Sequence, residues 1–593
     1  MWLMCGIIGI SGVNIDSKKR GVIEAGLATL ARRGPDDSGI VQFPDSILGH
    51  RRLSIIDLES GAQPMQDSAG TIAITFNGEI YNYRELRTEL KRAGHVFRTQ
   101  SDTEVILESY RAYGRDCVNR LDGMFAFAIW DKARQELFLA RDRFGEKPLY
   151  YAQLNTGLLF ASEIKALLAT GLVQPKLDLV SLDNYLSLSY VPPWRSVYAD
   201  IKPLPPAHYA VFKNGIFTQT RYWQLRRRHS SVSLNEAADT VREMLEKSVK
   251  SRLVSDVEVG AFLSGGIDSS IVTALAQEAT APRKIKTFSA GFEGFINELP
   301  YAEQIAKRYA TEHYATHIKT DLAKALHDVS AYFDEPFADS SNIPTHLLSE
   351  FAHKHVSVVL SGDGGDELFF GYGQYRSHWH VSLPRKIIDG FHAGLFGYRP
   401  AHLVRFFSSS ERRKLWRAPS SVEDNLASYL DLGEAETNLQ KINLTDFLTT
   451  LPGDILAKVD RASMMHSLEV RSPFLNHELA EFVYNLPDEY KTDSKQGKLV
   501  LERAFAGRMP PGLFTRKKQG FGAPIKHWLR KNELRALVGS LMQPAARINS
   551  LMKTERVCFV VEAFNAGDNR LARRVWTLLT LELWLRAHPE SRV

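Results

Sequence analysis

The feature that most constrains the fold is an apolar segment that ends in a glycine-rich turn near the middle of the chain. Val257–Leu263 has the length and composition of a buried strand, and Ser269–Glu278 has helical spacing. The turn between them contains Gly265 and Gly266, which let the backbone approach a ligand closely, and serines lie on both sides. Because a helix N-terminus favours an anion, the turn predicts a phosphate-binding loop. It matches neither the Walker loop nor the dinucleotide fingerprint.

Short apolar segments and amphipathic segments alternate around this turn. An amphipathic helix is predicted before it, at Leu234–Leu253. The segments after it are predicted strands at Lys284–Ala290, His313–Ile318 and Val356–Leu360 and predicted helices at Tyr301–Tyr309, Leu322–Phe333 and Ile343–His353. This alternation predicts an α/β domain with a parallel sheet covered on both faces. Beyond about residue 375 the chain is predicted to be mostly helical.

A second glycine-rich loop, Leu360–Glu367, follows another buried strand. In an open parallel sheet, ligands bind beyond the carboxyl ends of the strands, so both loops should border one crevice. The acidic residues expected to converge there are Asp268, Asp363, Asp366 and Glu367. Carboxylates beside a phosphate site predict bound Mg²⁺, which prefers oxygen ligands and substrate phosphates.

The first part of the chain has a different pattern, with many short strands and few helices. The clearest strands are Thr71–Phe76, Met124–Trp130 and Glu136–Ala140, and helical spacing is found at Val22–Arg32 and Arg84–Ala93. Prolines cluster at 192–206, and residues 225–233 are polar and basic. A chain of 593 residues is too long for one core, so a domain boundary is predicted around 205–232.

Composition excludes several function classes. The net charge is only +6 and basic clusters are short, which argues against nucleic acid as a partner. No stretch reaches 18 apolar residues, so no membrane span is predicted, and the apolar start lacks the basic leading segment of a signal peptide. Three cysteines without CxxC spacing predict neither a disulfide framework nor a zinc site, and a reducing cytoplasm is expected.

The second half resembles the synthetase domain of glutamine-hydrolysing asparagine synthetases. The motifs that carry this resemblance are SGGIDSS, LSGDGGDELFFGY, KVDRASMMHSLEVRSPFL (458–475) and KQGFGAPIKHWL (518–529). The first part resembles the class II glutamine amidotransferase domain through CGIIGI, RRGPDDSG (32–39), HRRLSIIDL (50–58), FNGEIYN (76–82), SDTEV (101–105) and RDRFGEKPLYY (141–151).

The resemblance implies a division of the chain and a fold for each part. Residues 5–205 are expected to form an α+β, Ntn-hydrolase-like αββα glutaminase domain, and 206–232 a linker. Residues 233–593 are expected to form an ATP-pyrophosphatase-type domain, similar to adenine nucleotide α-hydrolases, with a helical C-terminal part. The family often forms dimers, so a homodimer is a possible assembly.

Amide hydrolysis requires a nucleophile, a base and oxyanion donors, and the first domain offers all three. A cysteine at a free N-terminus, Cys5 here, can use its own α-amino group as the base. Asn77 and the Gly78 backbone N–H suit an oxyanion hole. The predicted glutamine-binding residues are Arg52 for the α-carboxylate, Glu79 and Asp102 for the α-ammonium group, Asn77 and Gly78, with Leu53 and Ile55 added by the resemblance.

Four residues precede Cys5 in this sequence, and an amide nitrogen is not basic. We therefore expect translation to start at Met4 and the mature chain to begin at Cys5. The competing hypothesis is a protein with a silent glutaminase that uses free ammonia.

The resemblance also assigns tasks in the synthetase half. The predicted ATP-binding residues are Leu263, Ser264, Gly265, Gly266, Asp268, Ser269, Ser270, Ala290, Ser361 and Gly362. Asp268 and Asp366 are expected to hold Mg²⁺, and Lys498 suits the negative charge of adenylation. Asp363, where some members carry glutamate, is expected to stabilise the intermediate. The implied reaction adenylates a carboxylate with ATP, and ammonia from the first domain then displaces AMP.

The acceptor is less closely constrained. Well-known members carry a Thr-Thr-x-Arg pattern where this chain has Glu335–Pro344, which contains no arginine to clamp the α-carboxylate of aspartate. Aspartate is the expected acceptor, and another carboxylic acid, such as a sugar acid in surface-polysaccharide synthesis, is the alternative. A ring-closing enzyme like β-lactam synthetase and a non-enzymatic binding protein are further alternatives.

Overall fold

The computed structural model describes residues 5–12, 17–52, 55–228, 230–292, 297–318, 321–379, 406–418, 435–516 and 523–592. Leu53, the four residues before Cys5, and residues 518–522 of the last synthetase motif lie outside this part of the chain.

Strands and helices are numbered along the described chain. The strands are β1 (Gly6–Gly12), β2 (Asp37–Phe43), β3 (Ser46–Arg52), β4 (Met65–Gln66), β5 (Ile72–Ile80), β6 (Gly123–Asp131), β7 (Glu136–Arg141), β8 (Tyr150–Leu154), β9 (Gly157–Ala161), β10 (Lys202–Pro203), β11 (His208–Lys213), β12 (Ile216–Arg221), β13 (Val259–Phe262), β14 (Lys286–Phe292), β15 (Glu312–Ile318), β16 (Val358–Leu360) and β17 (Glu469–Arg471).

The helices fall into three groups along the chain. Those before residue 200 are α1 (Ser17–Thr29), α2 (Tyr83–Arg92), α3 (Asp102–Tyr113), α4 (Cys117–Arg120), α5 (Ile164–Ala169) and α6 (Leu179–Leu188). Those from 234 to 379 are α7 (Leu234–Arg252), α8 (Ile267–Thr280), α9 (Leu299–Tyr309), α10 (Leu322–Tyr332), α11 (Asn342–His353), α12 (Gly365–Leu368) and α13 (Gly373–Trp379). Those after 408 are α14 (Ser409–Leu415), α15 (Asn438–Leu448), α16 (Leu456–Met464), α17 (His477–Tyr484), α18 (Asp488–Lys491), α19 (Leu499–Ala504), α20 (Ile525–Trp528), α21 (Asn532–Ser540), α22 (Thr554–Asn565) and α23 (Ala572–Ala587).

Two six-stranded antiparallel sheets form the first domain, in the orders β10-β8-β9-β1-β3-β2 and β12-β11-β7-β6-β5-β4. An apolar core that includes Ile7, Ala126 and Phe160 lies between them. Helices α1 and α5 cover the outside of the first sheet, and α2 and α3 cover the outside of the second. This confirms the predicted αββα fold. It also explains why β6 is a continuous apolar run, since both of its faces are buried.

The predicted linker 206–232 has more structure than the sequence suggested. Within it, β11 pairs with β7, and β12 pairs with β11, so the second sheet continues to Arg221. Their tight turn has Asn214 at φ 50° and Gly215 at φ 78°, the conformation that an Asn-Gly hairpin turn requires. The extended connection between the domains is therefore shorter, from 222 to 232.

The second domain contains the predicted parallel sheet, with strand order β15-β14-β13-β16-β17. Helices α7 and α8 pack on one face, and α11 packs on the other beside Phe288 and Val359. The alternation of strands and helices in the sequence is thus confirmed, as is the mainly helical C-terminal part. Within the described ranges, no helix combines the length and apolarity needed to cross a membrane.

The last helix joins the two domains. In α23, the Thr577 carbonyl accepts a hydrogen bond of 2.8 Å from Tyr185 of the first domain. Trp584 of the same helix donates to the Phe333 carbonyl of the second domain at 3.1 Å. The C-terminal helices therefore fix the relative position of the domains, a role that the sequence did not indicate.

Candidate active sites

Cys5 lies at the start of β1, next to the middle of the first sheet, and its side chain is buried. Its carbonyl accepts a hydrogen bond of 3.2 Å from Nε of Arg33. The following residue, Gly6, pairs with Arg51 of β3, which brings the predicted nucleophile Cys5 beside the predicted glutamine clamp Arg52. Cys5 and Arg52 are therefore held next to each other by the pairing of β1 with β3.

Asn77 and Gly78 lie on β5 of the facing sheet. The side chain of Asn77 is buried, and its Nδ2 atom has no hydrogen-bond partner within the described chain. Gly78 has φ 147°, and a Cβ there would lie 2.0 Å from the Met124 carbonyl oxygen, so only glycine fits. A buried amide N–H without a partner suits an oxyanion hole, whose donors must be free in the resting enzyme.

Arg52 is held by backbone carbonyls rather than by a carboxylate. Its guanidinium donates to Leu58 O at 3.3 Å, Ile56 O at 3.4 Å and Asp57 O at 2.6 Å. Because its hydrogen bonds go to neutral carbonyls and the Asp57 carboxylate offsets only part of its charge, Arg52 remains able to bind an incoming carboxylate. The neighbouring Ile55 is buried.

Two buried carboxylates, Glu79 and Asp102, complete this site. Asp102 accepts a hydrogen bond of 3.0 Å from the Ile80 N–H, and burial raises its pKa to about 6. Burial also raises the pKa of Glu79 well above its ordinary value, although Arg471 of the second domain lies 3.2 Å from it. A ligand ammonium group would stabilise the charged forms of both acids, which fits the predicted role.

In the second domain, a cavity of about 570 Å³ lies at the carboxyl ends of β13, β14 and β16. The predicted residues that line it are Leu263, Ser264, Gly266, Asp268, Ser269, Ala290, Ser361, Gly362, Asp363, Asp366 and Lys498. Gly265 and Ser270 are not in the wall. The Gly265 carbonyl accepts a hydrogen bond of 3.0 Å from Arg516, and the Ser270 side chain is fully buried.

Hydrogen bonds and close packing fix the shape of the first glycine-rich loop. Ser264 Oγ lies 3.0 Å from Ser269 Oγ and accepts a bond of 3.2 Å from the Gly266 N–H. Gly265 has φ 72°, and a Cβ there would lie 2.6 Å from the Ala302 nitrogen. The loop is therefore preorganised around an open concave side at the start of α8, as a phosphate site requires.

Asp268, Asp366 and Lys498 form one cluster on this wall. Lys498 Nζ lies 2.6 Å from Asp366 Oδ1 and also bonds Asp268 Oδ2. Since the two carboxylates share one ammonium group, they are close enough to share one cation, and their oxygen atoms suit Mg²⁺. Among the described residues, no group of three or more His, Cys, Asp or Glu side chains could hold a metal ion. Mg²⁺ held by two carboxylates takes its other ligands from water and substrate phosphates.

Only three of the four acidic residues expected in the crevice are found there. Glu367 is buried away from the cavity, where its Oε1 accepts a hydrogen bond of 2.5 Å from Tyr372. Burial raises its pKa to about 7. Asp366 and Glu367 are consecutive on α12, so their side chains leave the helix in different directions and only Asp366 reaches the cavity.

Lys458, the first residue of the 458–475 motif, was not predicted as a site residue. Its side chain is a buried cation in the cavity wall. Its Nζ lies 3.0 Å from Asp339 Oδ2 and 2.8 Å from Ser341 Oγ, in the stretch where the family arginine is absent. Although burial opposes ionisation, Lys458 and the Ser341 hydrogen bonds lower the pKa of Asp339 to about 2. Burial raises the pKa of Asp363, whose charge Lys458 partly offsets.

The two sites are joined by a polar interface. Arg33 forms a bidentate pair with Asp460 at 2.8 and 3.0 Å and contacts Glu163 at 3.2 Å. A small cavity lined by Lys147, Asp460 and Ser463 lies next to this pair, and Val459 lines both it and the 570 Å³ cavity. Arg33, Lys147 and Asp460 lie within the quoted motifs, but the pairing of Arg33 with Asp460 crosses the domains and could not be inferred from the sequence.

Comparisons with known proteins agree with this arrangement. Residues 240–586 match the asparagine synthase family, and residues 4–223 match the glutamine amidotransferase domain family. The chain is 34% identical to asparagine synthetase [glutamine-hydrolyzing] 1 of Bacillus subtilis (strain 168), across 99% of this chain and 98% of that protein. It is 30% identical to amidase chry2 of Gibberella zeae, across 85% of each.

Among solved structures, the allosteric regulatory enzyme of purine biosynthesis matches with a TM-score of 0.30 and 17% identity, covering 54% of this chain and 66% of that one. The match to the asparagine synthase family spans more than half of the chain, and the match to the Bacillus subtilis protein spans nearly all of it. The chain therefore belongs to the asparagine synthase family and carries an N-terminal glutamine amidotransferase domain.

Proposed function

We propose that this protein is an ATP-dependent asparagine synthetase that takes its nitrogen from glutamine. The observation that carries the proposal is that one chain holds buried Cys5 at the start of β1 and a glycine-rich loop that lines a cavity beside Asp268 and Lys498. The relatives named glutamine-hydrolysing asparagine synthetases support the same reaction.

Glutamine hydrolysis would take place at Cys5. Arg52 binds the α-carboxylate of glutamine, and Glu79 and Asp102 bind its α-ammonium group, which leaves the side-chain amide against the nucleophile. The free α-amino group of Cys5 accepts the thiol proton and returns it to the leaving ammonia. Asn77 Nδ2 and the Gly78 N–H donate to the oxyanion of the tetrahedral intermediate.

Carboxylate activation would take place in the cavity of the second domain. The serines and backbone N–H groups of the loop at 264–269 hold the pyrophosphate of ATP, and Lys498 compensates the charge that develops at the α-phosphate. Asp268 and Asp366 would hold Mg²⁺, which neutralises phosphate charge when bound. The acceptor carboxylate attacks the α-phosphorus, pyrophosphate leaves, and ammonia then displaces AMP from the acyl-adenylate.

The two half-reactions require a protected route between the sites, because both ammonia and the acyl-adenylate are lost in water. The family resemblance implies an internal channel. Such a route would have to cross the domain interface, where Lys147 and Asp460 lie.

The test is a product balance with protein processed at Cys5, incubated with ATP, Mg²⁺, glutamine and aspartate. Equal amounts of asparagine, AMP and pyrophosphate support the proposal. A Cys5→Ala control should lose the reaction with glutamine and retain it with ammonium chloride. Glutamate release without AMP would refute aspartate as the acceptor.

A second candidate is the same chemistry on a different carboxylic acid, such as a sugar acid. The absence of arginine from Glu335–Pro344 favours it, and so does a relative that is named an amidase. A panel of carboxylic acids, scored by release of AMP, distinguishes the two. Detectable glutamine hydrolysis would exclude both the β-lactam-synthetase-like and the non-enzymatic alternatives. A cytoplasmic location and a homodimer remain predictions.

A further inference from the structure

A basic cavity lies on the segment that connects the two domains. Its volume is about 270 Å³, and it is bordered by the end of β12, by the connection at 222–228 and by α17. None of the residues that line it belongs to the predicted glutamine site or lines the 570 Å³ cavity. A ligand bound here would therefore be distinct from the substrates of the proposed reaction at their own sites.

The backbone of the connection explains why this cavity is basic. The segment has neither helix nor turn, and alternate residues of an extended chain face the same side. Gln224, Arg226 and Arg228 accordingly all line the cavity. The residues between them face the other way, since Leu225 is buried and Arg227 donates to a carbonyl at the end of α17 at 2.9 Å. A run of three arginines thus presents two of its side chains to one cavity.

Hydrogen bonds to α17 and to the residue after it hold this segment in place. Trp223 Nε1 donates to Glu481 Oε1 at 2.7 Å, and the Arg226 carbonyl accepts a bond of 3.2 Å from Asn485 Nδ2. Asn485 Oδ1 in turn accepts from the Arg228 N–H. The cavity wall is therefore fixed by the backbone and by Trp223, and the guanidinium groups of Arg226 and Arg228 are not needed to form it.

The charges that line the cavity are unbalanced. Three guanidinium groups, those of Arg221, Arg226 and Arg228, accompany a single carboxylate, that of Glu481. In the part of the chain that the structure describes, the side chains of Arg226 and Arg228 have no hydrogen bond or ion pair. Like charges on one concave surface repel one another and attract an anion, and guanidinium groups bind phosphate oxygens bidentately.

We propose that this cavity binds a small, multiply charged phosphate, which Arg226 and Arg228 hold together with Arg221. A basic run of three residues is too short for a nucleic-acid surface, so the ligand is a small molecule. Tyr222 and Trp223 line the same cavity, and aromatic rings can stack on a base. The phosphate can therefore belong to an inorganic polyphosphate or to a nucleotide. Once bound, it would link the end of the second sheet to the connection between the domains.

The experiment follows the labelling of individual arginines by phenylglyoxal, read by peptide mass spectrometry on the intact chain. Pyrophosphate, inorganic phosphate and AMP are titrated in turn, at constant ionic strength and without Mg²⁺. Pyrophosphate should slow the labelling of Arg226 and Arg228 about tenfold and leave that of Arg573, exposed on α23, unchanged. Because the label is read at each residue, binding at the 570 Å³ cavity does not contribute. Stronger protection by pyrophosphate than by AMP assigns the site to inorganic polyphosphates, and the reverse order assigns it to nucleotides.

The double variant Arg226→Gln/Arg228→Gln tests the two side chains directly. The dissociation constant, measured through protection of Arg221, should rise about tenfold or more, whereas Arg573→Gln should leave it unchanged. Without an anion, the double variant should unfold in urea at the same or a higher midpoint than the wild type, because it removes like charges. Equal protection of Arg573, or unchanged protection of Arg221 in the double variant, would overturn the proposal. A lower urea midpoint without the anion would also overturn it, since the arginines would then stabilise the fold itself.

Discussion

Replacing Asn77 with alanine tests the glutaminase mechanism most directly. The Asn77 Nδ2 atom is buried and has no hydrogen-bond partner in the described chain, so its removal breaks no bond donated by that atom in the resting protein. In the reaction, however, it is expected to donate to the oxyanion. Loss of one such donor costs about 2.7–4 kcal/mol of transition-state stabilisation, or roughly 10²–10³-fold in kcat.

The assay compares asparagine formation from glutamine with asparagine formation from ammonium chloride. For Asn77→Ala, the glutamine-dependent kcat should fall by about 10²–10³-fold, while the ammonia-dependent rate stays within twofold of wild type. Asn155→Ala, at an exposed turn between β8 and β9, is the matched control and should change neither rate. A fall of less than about tenfold, or an equal fall with ammonia, would contradict the assignment of Asn77 to the oxyanion hole.

Three further predictions concern other parts of the molecule. Lys498→Met should abolish AMP formation and leave glutamine hydrolysis intact; loss of both activities would show a structural role instead. Arg33→Met removes the bidentate partner of buried Asp460, whose remaining cation Lys147 lies 4.0 Å away, so urea unfolding should show a loss of about 3–5 kcal/mol, whereas the exposed Arg20→Met should change stability little. Burial raises the pKa of Asp102 to about 6, so the folded protein favours the neutral carboxyl group. Asp102 therefore stabilises the unliganded protein at low pH, and this stabilisation is lost as pH rises through about 6. Since binding of the glutamine ammonium group requires the charged form of Asp102, KM for glutamine should decrease as pH rises from about 5 to 7. A wild-type-like pH profile for Asp102→Asn would contradict this.

The sequence predicted those functional features whose residues lie close together in the chain. The loop at 264–269 lies between a strand and a helix that are adjacent in sequence, so its residues and its place at the sheet edge could be inferred together. Even there, the sequence did not indicate that Gly265 and Ser270 lie outside the cavity wall. The prediction for Glu367 was wrong because consecutive residues of a short helix point in different directions. Glu367 follows Asp366 directly on α12, and only Asp366 reaches the cavity.

The hairpin of β11 and β12 was not predicted, although its turn has a recognisable sequence. Asn214-Gly215 is a strong hairpin sequence, but prolines precede it and arginines follow it, and the whole segment was therefore interpreted as a linker. Lys458 is a different case. Its partner Asp339 is 119 residues away, and no periodicity or spacing in one sequence connects two such positions.

The contacts between the domains show that neither site is completed by its own domain. Arg33 donates to the carbonyl of Cys5 and also binds Asp460 of the second domain. Arg471 of β17 lies 3.2 Å from Glu79 of the predicted glutamine site, while its carbonyl accepts a hydrogen bond of 2.9 Å from the N–H of Ser361, which lines the cavity of the second domain. A single residue therefore contacts a predicted ligand-binding residue of each site. For this reason we expect the two predicted sites to depend on one folded unit, although their sequence motifs are separate.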